Sequence, residues 1–418
     1  MSEMLSSKLK VAIDARLPDQ GQGGVQQVLV SLADAFSRID DQNFTRIWIV
    51  FEGTTWWQGV FPPHDEVLIV AAPFGGVSLK LTKMFPKLVS RVYPIVARFL
   101  HHRPLLDEIL LSKEVNMVHI PYQDGLLTEL PFVYNPHDLQ HVHYPNFFRR
   151  SQIQHRNHFW KDHCKRANVV LSASPMVTKD LTNHWGVSQD KIRLVPIPPP
   201  SRTISSKVNI TNFPSDFCIY PAVFWPHKNH INLLKAWSKL KVLGYEIPLI
   251  LTGAETQFTA ELRQQILTLE LSKQVILAGH VSNEVLTSLL SKAKVVVVPS
   301  LFEAMSLTVW DAQLLGTAVA CSNIDPFPLQ VGDTALLFNP IDPDDIAEKV
   351  LALWTNPELR SSLSKKASKR VTCLTSSNYG FAMLGTYLEC VGRDQTNDTS
   401  SARAALVSVL EPTSDPDS

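Results

Sequence analysis

Two acids stand eight residues apart in "SLFEAMSLTVWDAQLLG", residues 300 to 316: Glu303 and Asp311. Vicinal hydroxyls of a sugar or a ribose donate to a carboxylate, so acids of this kind suit a carbohydrate or nucleotide ligand. The run "KVVVVPS" before them reads as a strand, which puts Glu303 in the loop at its carboxyl end, and Gly316 stops the helix that follows. Asp311 also has a plainer use, as the third residue after an N-cap Thr308, a weak capping box with Asp for Glu. In that case the two acids share no ligand. The insert between them, which begins Ala304, Met305, Ser306, Leu307 and Thr308, has no glycine.

Three further stretches carry chemistry. In "IYPAVFWPHKNHINLLKAW", Lys228 sits just ahead of a helix N-terminus, well placed to neutralise a diphosphate. A solvated loop lysine is the plain alternative, and His227 and His230 have an ordinary structural use too. In "YNPHDLQHVHYPNFFRR", His137, His141 and His143 follow a strand. Their spacing does not converge on one helical face, which argues against a metal. One functional histidine, His137, is expected, with His141 and His143 packing or surface residues. In "AIDARLPDQGQGGVQQVLVSLADAF", a strand ends near Ala15 and a helix begins near Val25. Gly21, Gly23 and Gly24 let backbone approach a ligand, and the helix N-terminus offers N–H groups to phosphate. A dinucleotide fingerprint wants a glycine where Gln26 stands. Glu52, after the second strand, imitates its ribose acid, so a nicotinamide-dependent or epimerase-type enzyme stays as an alternative.

These residues need a scaffold, and the 418-residue chain has enough length for two or three domains. It is 45% hydrophobic and 19% charged, as soluble globular proteins are. Lys plus Arg and Asp plus Glu both number 39, so no global field draws it to nucleic acid. Five scattered cysteines with no CxxC pair give neither a disulfide framework nor structural zinc, which fits a reducing compartment. No long apolar run precedes the first strand, so no signal peptide is expected, and no stretch is long enough to span a membrane.

Short apolar runs alternate with helical patterns: "KVAIDA", "RIWIVF", "EVLIVAA", "VNMVHIP", "PFVYNPHD" and "NVVLSAS". After "VPIPPPSR" come "FCIYPA", "PLILTGA", "QVILAGH", "KVVVVPS", "AVACS" and "ALLFN". Such alternation predicts an α/β chain of two doubly wound, Rossmann-like domains facing a cleft. The expected bounds are 1–195 for the first, 196–202 for a proline-rich linker and 203–378 for the second. A C-terminal helix over 379–393 and a disordered polar tail over 394–418 complete the chain. One segment, 78–106, breaks the alternation: Lys80, Lys83, Lys87 and Arg91 fall on one helical face and apolar residues on the other. It reads as a basic amphipathic helix for an anionic membrane surface, or as a helix packed on its own domain with a solvated basic face.

As an ordered set, the four stretches resemble the retaining family 4 glycosyltransferases of GT-B fold, over about residues 9 to 392. The matches are Gly23 and Gly24, then His137, then Lys228, then Glu303 with Asp311. "HDLQHVHYPNFF" and "FWPHKNH" look like a subgroup associated with mannosyl transfer to polysaccharide or lipid-linked glycans. The resemblance implies that the second domain holds a nucleotide-sugar, with His280 of "LAGHVSN" near the base, Asp311 on the ribose and Lys228 on the diphosphate. Glu303 would take the donor sugar, with Ser306 and Leu307 of the insert beside it, and His137 would touch the sugar near its reacting carbon. It implies a hexosyltransferase with a glycan or glycolipid acceptor, no cofactor and no metal, cytoplasmic or peripheral at the inner membrane face. Three departures stand out: the family's insert is typically glycine-rich, its second acid is typically Glu, and an arginine often found before the lysine is absent. A scaffold that binds nucleotide-sugar or a partner with little turnover is the alternative from the binding class.

Overall fold

The computed structural model describes residues 7–19, 23–71, 104–202, 208 and 210–412. The chain forms two compact units, Met1–Pro196 with Ser376–Ala404, and Ile197–Thr375 with Ala405–Ser418.

The first unit is built on a seven-stranded sheet in the order β3-β2-β1-β4-β5-β6-β7. Its strands are β1 (Leu9–Asp14), β2 (Phe44–Phe51), β3 (Glu66–Val70), β4 (Met117–Ile120), β5 (Phe132–Tyr134), β6 (Val169–Ser172) and β7 (Ile192–Leu194). Every pairing is parallel. Parallel strands are covered on both faces, and β4, β5 and β6 are buried at every residue. Helices α1 (Gly23–Phe36), α2 (Pro104–Ser112) and α3 (Pro175–Trp185) belong to this unit.

The second unit carries a six-stranded, all-parallel sheet in the order β10-β9-β8-β11-β12-β13. These are β8 (Cys218–Pro221), β9 (Leu249–Thr252), β10 (Val275–Gly279), β11 (Val295–Val298), β12 (Ala318–Ser322) and β13 (Leu336–Phe338). Its longer helices are α4 (His230–Val242), α5 (Thr259–Thr268), α6 (Asn283–Lys292), α7 (Leu307–Leu314), α8 (Pro343–Thr355) and α9 (Pro357–Arg370). On α4, Leu233, Leu234, Trp237 and Leu240 recur at helical spacing and are fully buried. Each contributes about 1.5–3 kcal/mol or more of burial. Where β8 and β9 end, Gly253 approaches the backbone so closely that a Cβ there would lie 2.1 Å from the Ala222 carbonyl oxygen.

Both sheets place their first strand next to their fourth, and the winding direction reverses there. Ligand sites of doubly wound sheets form at that reversal, outside the carboxyl ends of the strands. In the first unit the reversal lies between β1 and β4, in the second between β8 and β11.

Two expectations need correction. β7 was not expected: Ile192–Leu194 is three residues long with Arg193 in its middle, so it offers no apolar run. Pairing with β6 and an ion pair from Arg193 to Glu389 hold it. The tail after 394 is not wholly irregular either. Helix α11 (Asn397–Ser408) stands there, with Thr399, Ala402 and Leu406 buried. The preceding helix, α10 (Ser376–Cys390), packs in the first unit against α1, where Gly380 leaves room for the Ala35 carbonyl. Lys80, Lys83, Lys87 and Arg91 lie outside the described residues, as does Gly21. Among the described residues, no helix is long and apolar enough to cross a membrane.

Candidate active site

In the second unit, the chain leaves β8 at Pro221 and makes a single turn, Pro226–Lys228, before α4. Asn229 closes that turn with φ 60° and ψ 33°, the left-handed conformation that Asn tolerates better than most residues. Its buried side-chain amide donates to the Pro299 carbonyl (2.8 Å) just past β11 and to the Pro340 carbonyl (2.7 Å) past β13. Leu301 N–H donates to the His227 carbonyl at 2.7 Å. These bonds stitch the loop after β8 to the loop after β11.

The stitching brings Lys228 and Glu303 together, Nζ to Oε1 at 2.6 Å. Ser300 donates to the same Oε1 at 2.7 Å. A carboxylate only accepts, so the Ser300 proton goes to Glu303, and the Tyr220 hydroxyl shares its one proton between Ser300 Oγ (2.9 Å) and the Lys228 carbonyl (3.1 Å). Among the described residues, Glu303 Oε2 has no such partner. The side chains of Lys228 and Glu303 are 21% and 12% exposed, so the pair is sheltered yet reachable. Burial and, second, the charge of Lys228 push His230 down to about 3. The same causes push His227 down to about 2. Both rings are neutral at pH 7. His230 packs on Tyr220 and Phe224, which is the structural use its position allowed.

Asp311 is not part of this pair. It lies in α7, which begins at Leu307 after Ser306, so Thr308 is not the N-cap expected of it. Gln330 clamps the Ser306 backbone, accepting from its N–H (3.2 Å) and donating to its carbonyl (2.7 Å). Asp311 receives the Arg202 guanidinium in a two-pronged pair, Nη2 to Oδ2 at 2.7 Å and Nε to Oδ1. Burial outweighs Arg202 and lifts the Asp311 carboxyl above its ordinary range. The glycine-free insert needs no glycine here, since none of Ala304 to Thr308 has positive φ. Leu307 is half-buried at the head of α7, and His280 is exposed just past the edge strand β10.

In the first unit, β1 delivers the fully buried Asp14 to the reversal point. Arg16 donates to it from Nε (2.8 Å) and Nη2 (2.9 Å), and Leu126 N–H adds a third bond at 2.9 Å. Against the burial, Arg16 and these bonds hold the carboxyl below its ordinary range. His137, past β5, has φ 61°, and its Nε2 lies 2.9 Å from the Pro121 carbonyl past β4. A carbonyl only accepts, so Nε2 carries the proton and Nδ1 is left as an acceptor. Burial lowers the pKa of His137. Beside it, buried His119 meets the Tyr387 hydroxyl through Nδ1 (2.8 Å), and among the described residues its Nε2 has no hydrogen-bond partner. Burial and the neighbouring His137 push His119 down to about 3. Gly23 and Gly24 open α1, two residues earlier than expected, and are exposed.

The three histidines of "HDLQHVH" do not converge. His141 packs against Trp160 and Trp185 with Nε2 on Asn157 Oδ1 at 3.1 Å, and His143 pairs with Asp180. Arg202, Asn229, Ser300 and the Asp14–Arg16 pair were not singled out from the sequence. Asn229 had a signal: a small polar residue between Lys228 and a helix start, where a left-handed residue is common. Arg202 and Asp311 are 109 residues apart, and nothing local marks their pairing.

Residues 202–370 match the model of a family described as Glycosyl transferases group 1. Over 211 residues the chain is 28% identical to the O-antigen chain mannosyltransferase RfbU of Salmonella typhimurium, covering 49% of this chain and 56% of that protein. Over 262 residues it is 23% identical to the serotype-specific mannosyltransferase WbdA of Escherichia coli, covering 59% of this chain and 32% of that protein. The chain thus spans less than two thirds of the length of these relatives. Among solved structures, Anabaena Alr3699/HepE in complex with UDP and glucose aligns with TM-score 0.66 and 16% identity, over 90% of this chain and 99% of that one. Sucrose-phosphate synthase from Thermosynechococcus elongatus aligns with TM-score 0.68 and 18% identity, over 92% of this chain and 100% of that one. At such identities the likeness establishes the fold, the pair of Rossmann-like domains called GT-B.

Proposed function

We propose that the chain is a retaining hexosyltransferase that moves a sugar, with mannose the first candidate, from a nucleoside-diphosphate donor to a polysaccharide or glycolipid acceptor. The observation that carries this reading is the Lys228–Glu303 pair at the strand reversal of the second unit. Residues 202–370, which hold that pair, also match the glycosyl transferase family, and the relatives named above are mannosyltransferases.

A nucleoside diphosphate leaves with growing negative charge, and Lys228 is the cation placed to offset it without a metal. Glu303 keeps one oxygen on Lys228 and Ser300 and offers the other to the donor sugar's hydroxyls. His137, with its Nδ1 free to accept, is assigned to the sugar near its reacting carbon. Retention follows from same-face displacement: the bond from C1 to the leaving phosphate oxygen breaks, the acceptor oxygen bonds on that face, and its proton passes to the departing phosphate. Glu303 is not a nucleophile in this scheme. Gly23, Gly24, His280, Ser306 and Leu307 complete the donor-binding assignment. Asp311 is the ribose carboxylate, which requires Arg202 to share it. The protein is placed at the cytoplasmic face of a membrane, through the basic segment 78–106.

One observation favours a second reading, a scaffold that binds donor with little turnover: Arg202 already occupies both Asp311 oxygens. A thermal-shift panel of GDP-, UDP- and ADP-sugars beside NAD tests the donor class. The melting temperature should rise with one of the sugar nucleotides and not with NAD. Stabilisation by NAD alone would return the protein to the nicotinamide-dependent class. Donor binding with no hydrolysis and no transfer to any glycolipid supports the scaffold.

A further inference from the structure

Beyond His137 the chain enters a short helix, Gln140–His143, that meets α3. Asp180 and His184 lie one helical turn apart on α3 and therefore share a face. His143 Nε2 stands 2.6 Å from Asp180 Oδ2, and His184 Nε2 stands 3.8 Å from Asp180 Oδ1. One ligating atom from each residue lies within 4.8 Å of the other two. The imidazoles meet edge to face, 6.0 Å between centroids. Asp180 is buried at the base of the trio, and the two rings form its partly exposed rim.

Hydrogen bonding accounts for only half of this arrangement. The 2.6 Å contact is a hydrogen bond, but 3.8 Å is too long to be one. Both Nε2 atoms nevertheless converge on a single carboxylate. We propose that His143, Asp180 and His184 form a binding site for a divalent transition metal of the zinc class.

Two imidazole nitrogens and one carboxylate oxygen are donors that zinc takes, in a set of three that leaves a fourth position for water. Ligand atoms around a tetrahedral zinc stand about 3.3 Å apart, given bonds of about 2.0–2.1 Å. Against that spacing the 2.6 Å contact must open by about 0.7 Å and the 3.8 Å contact close by about 0.5 Å, within the reach of side-chain torsions. A site with two imidazoles and one carboxylate is a poor match for calcium or magnesium, which take oxygen ligands. The ion would clip the segment after β5 to α3, which follows the neighbouring strand β6, and so fix the backbone that runs on from His137. It supplies no step of the proposed transfer, and its presence does not depend on that reading. Of His137, His141 and His143, the metal-capable set takes His143 alone and finds its partners on another helix.

The test is zinc binding by the full chain, stripped with chelator and dialysed, in competition with a chromophoric chelator. Wild-type protein should hold zinc at micromolar or tighter affinity at this site and melt at a higher temperature with zinc than without. His184→Gln and His143→Gln should each weaken that binding roughly tenfold or more and abolish the zinc-dependent rise in melting temperature. Both residues are partly exposed, so the metal-free variants should fold, as checked by circular dichroism. Magnesium should not displace the ion. The proposal is overturned if wild-type protein takes up no zinc in this range, or if both variants bind zinc as the wild type does.

Discussion

Glu303 accepts from Lys228 and Ser300 on one oxygen, and the other oxygen is what the proposed chemistry uses. The residue that makes this geometry possible is Asn229, through its two buried bonds to the Pro299 and Pro340 carbonyls. Asn229→Ala should cost about 2–3 kcal/mol, because two acceptors lose their donor and alanine must adopt a left-handed conformation. Asn229→Gly keeps the conformation and loses only the bonds, so it should be the milder of the two. Denaturant midpoints of both variants check this ordering; equal midpoints would mean that backbone conformation matters little there. The positions of Glu303 and Lys228 past the ends of two strands were legible, because each sits where a strand pattern gives way to a helix pattern. Their pairing was not, since Lys228 and Glu303 stand 75 residues apart, and Tyr220 stands 80 from Ser300, so these contacts come from tertiary packing rather than from spacing.

At the scale of elements, the strands announced themselves where they were buried on both faces. "KVVVVPS" and "PLILTGA" carry enough contiguous apolar side chains to be read directly, and they form β11 and β9. β7 and α11 escaped for opposite reasons. β7 is held by its neighbour and by Arg193 rather than by its own apolar content. α11 buries small residues, Thr399 and Ala402, and Gly385 of α10 leaves room for Thr399. The buried histidines couple these elements to pH. His119 on β4 and His230 at the start of α4 have folded pKa values of about 3 against an ordinary 6.5. Below pH 6.5 the unfolded chain takes up protons that the folded chain refuses. Stability is therefore full above about pH 6.5 and is lost as pH falls toward 3, by up to about 1.4 kcal/mol per pH unit for each residue. Urea unfolding at pH 7.5 and 5 should show this loss, and His230→Phe, which keeps a ring on Tyr220, should flatten it. An unchanged slope in that variant would show that His230 does not carry the effect.

For the whole molecule, strand order alone does not separate sugar-nucleotide chemistry from dinucleotide chemistry, since doubly wound sheets serve both. The separation rests on what stands at the reversal points: Lys228 with Glu303 in the second unit, and His137 with Asp14 and Arg16 in the first. The membrane assignment belongs to this scale too. The chain should co-sediment with vesicles containing anionic lipid, and replacing Lys80, Lys83, Lys87 and Arg91 together by Gln should weaken that binding and its dependence on salt. Equal binding by the substituted chain would remove the membrane from the account. The central claim is that Glu303, braced by Lys228, handles the donor sugar. Its most direct test is turnover of the stabilising sugar nucleotide, by hydrolysis or transfer, in wild type and in Glu303→Gln, with donor affinity measured alongside. Folding should stay near normal in Glu303→Gln, and turnover should fall about a hundredfold or more. Turnover in Glu303→Gln equal to that of the wild type would contradict it.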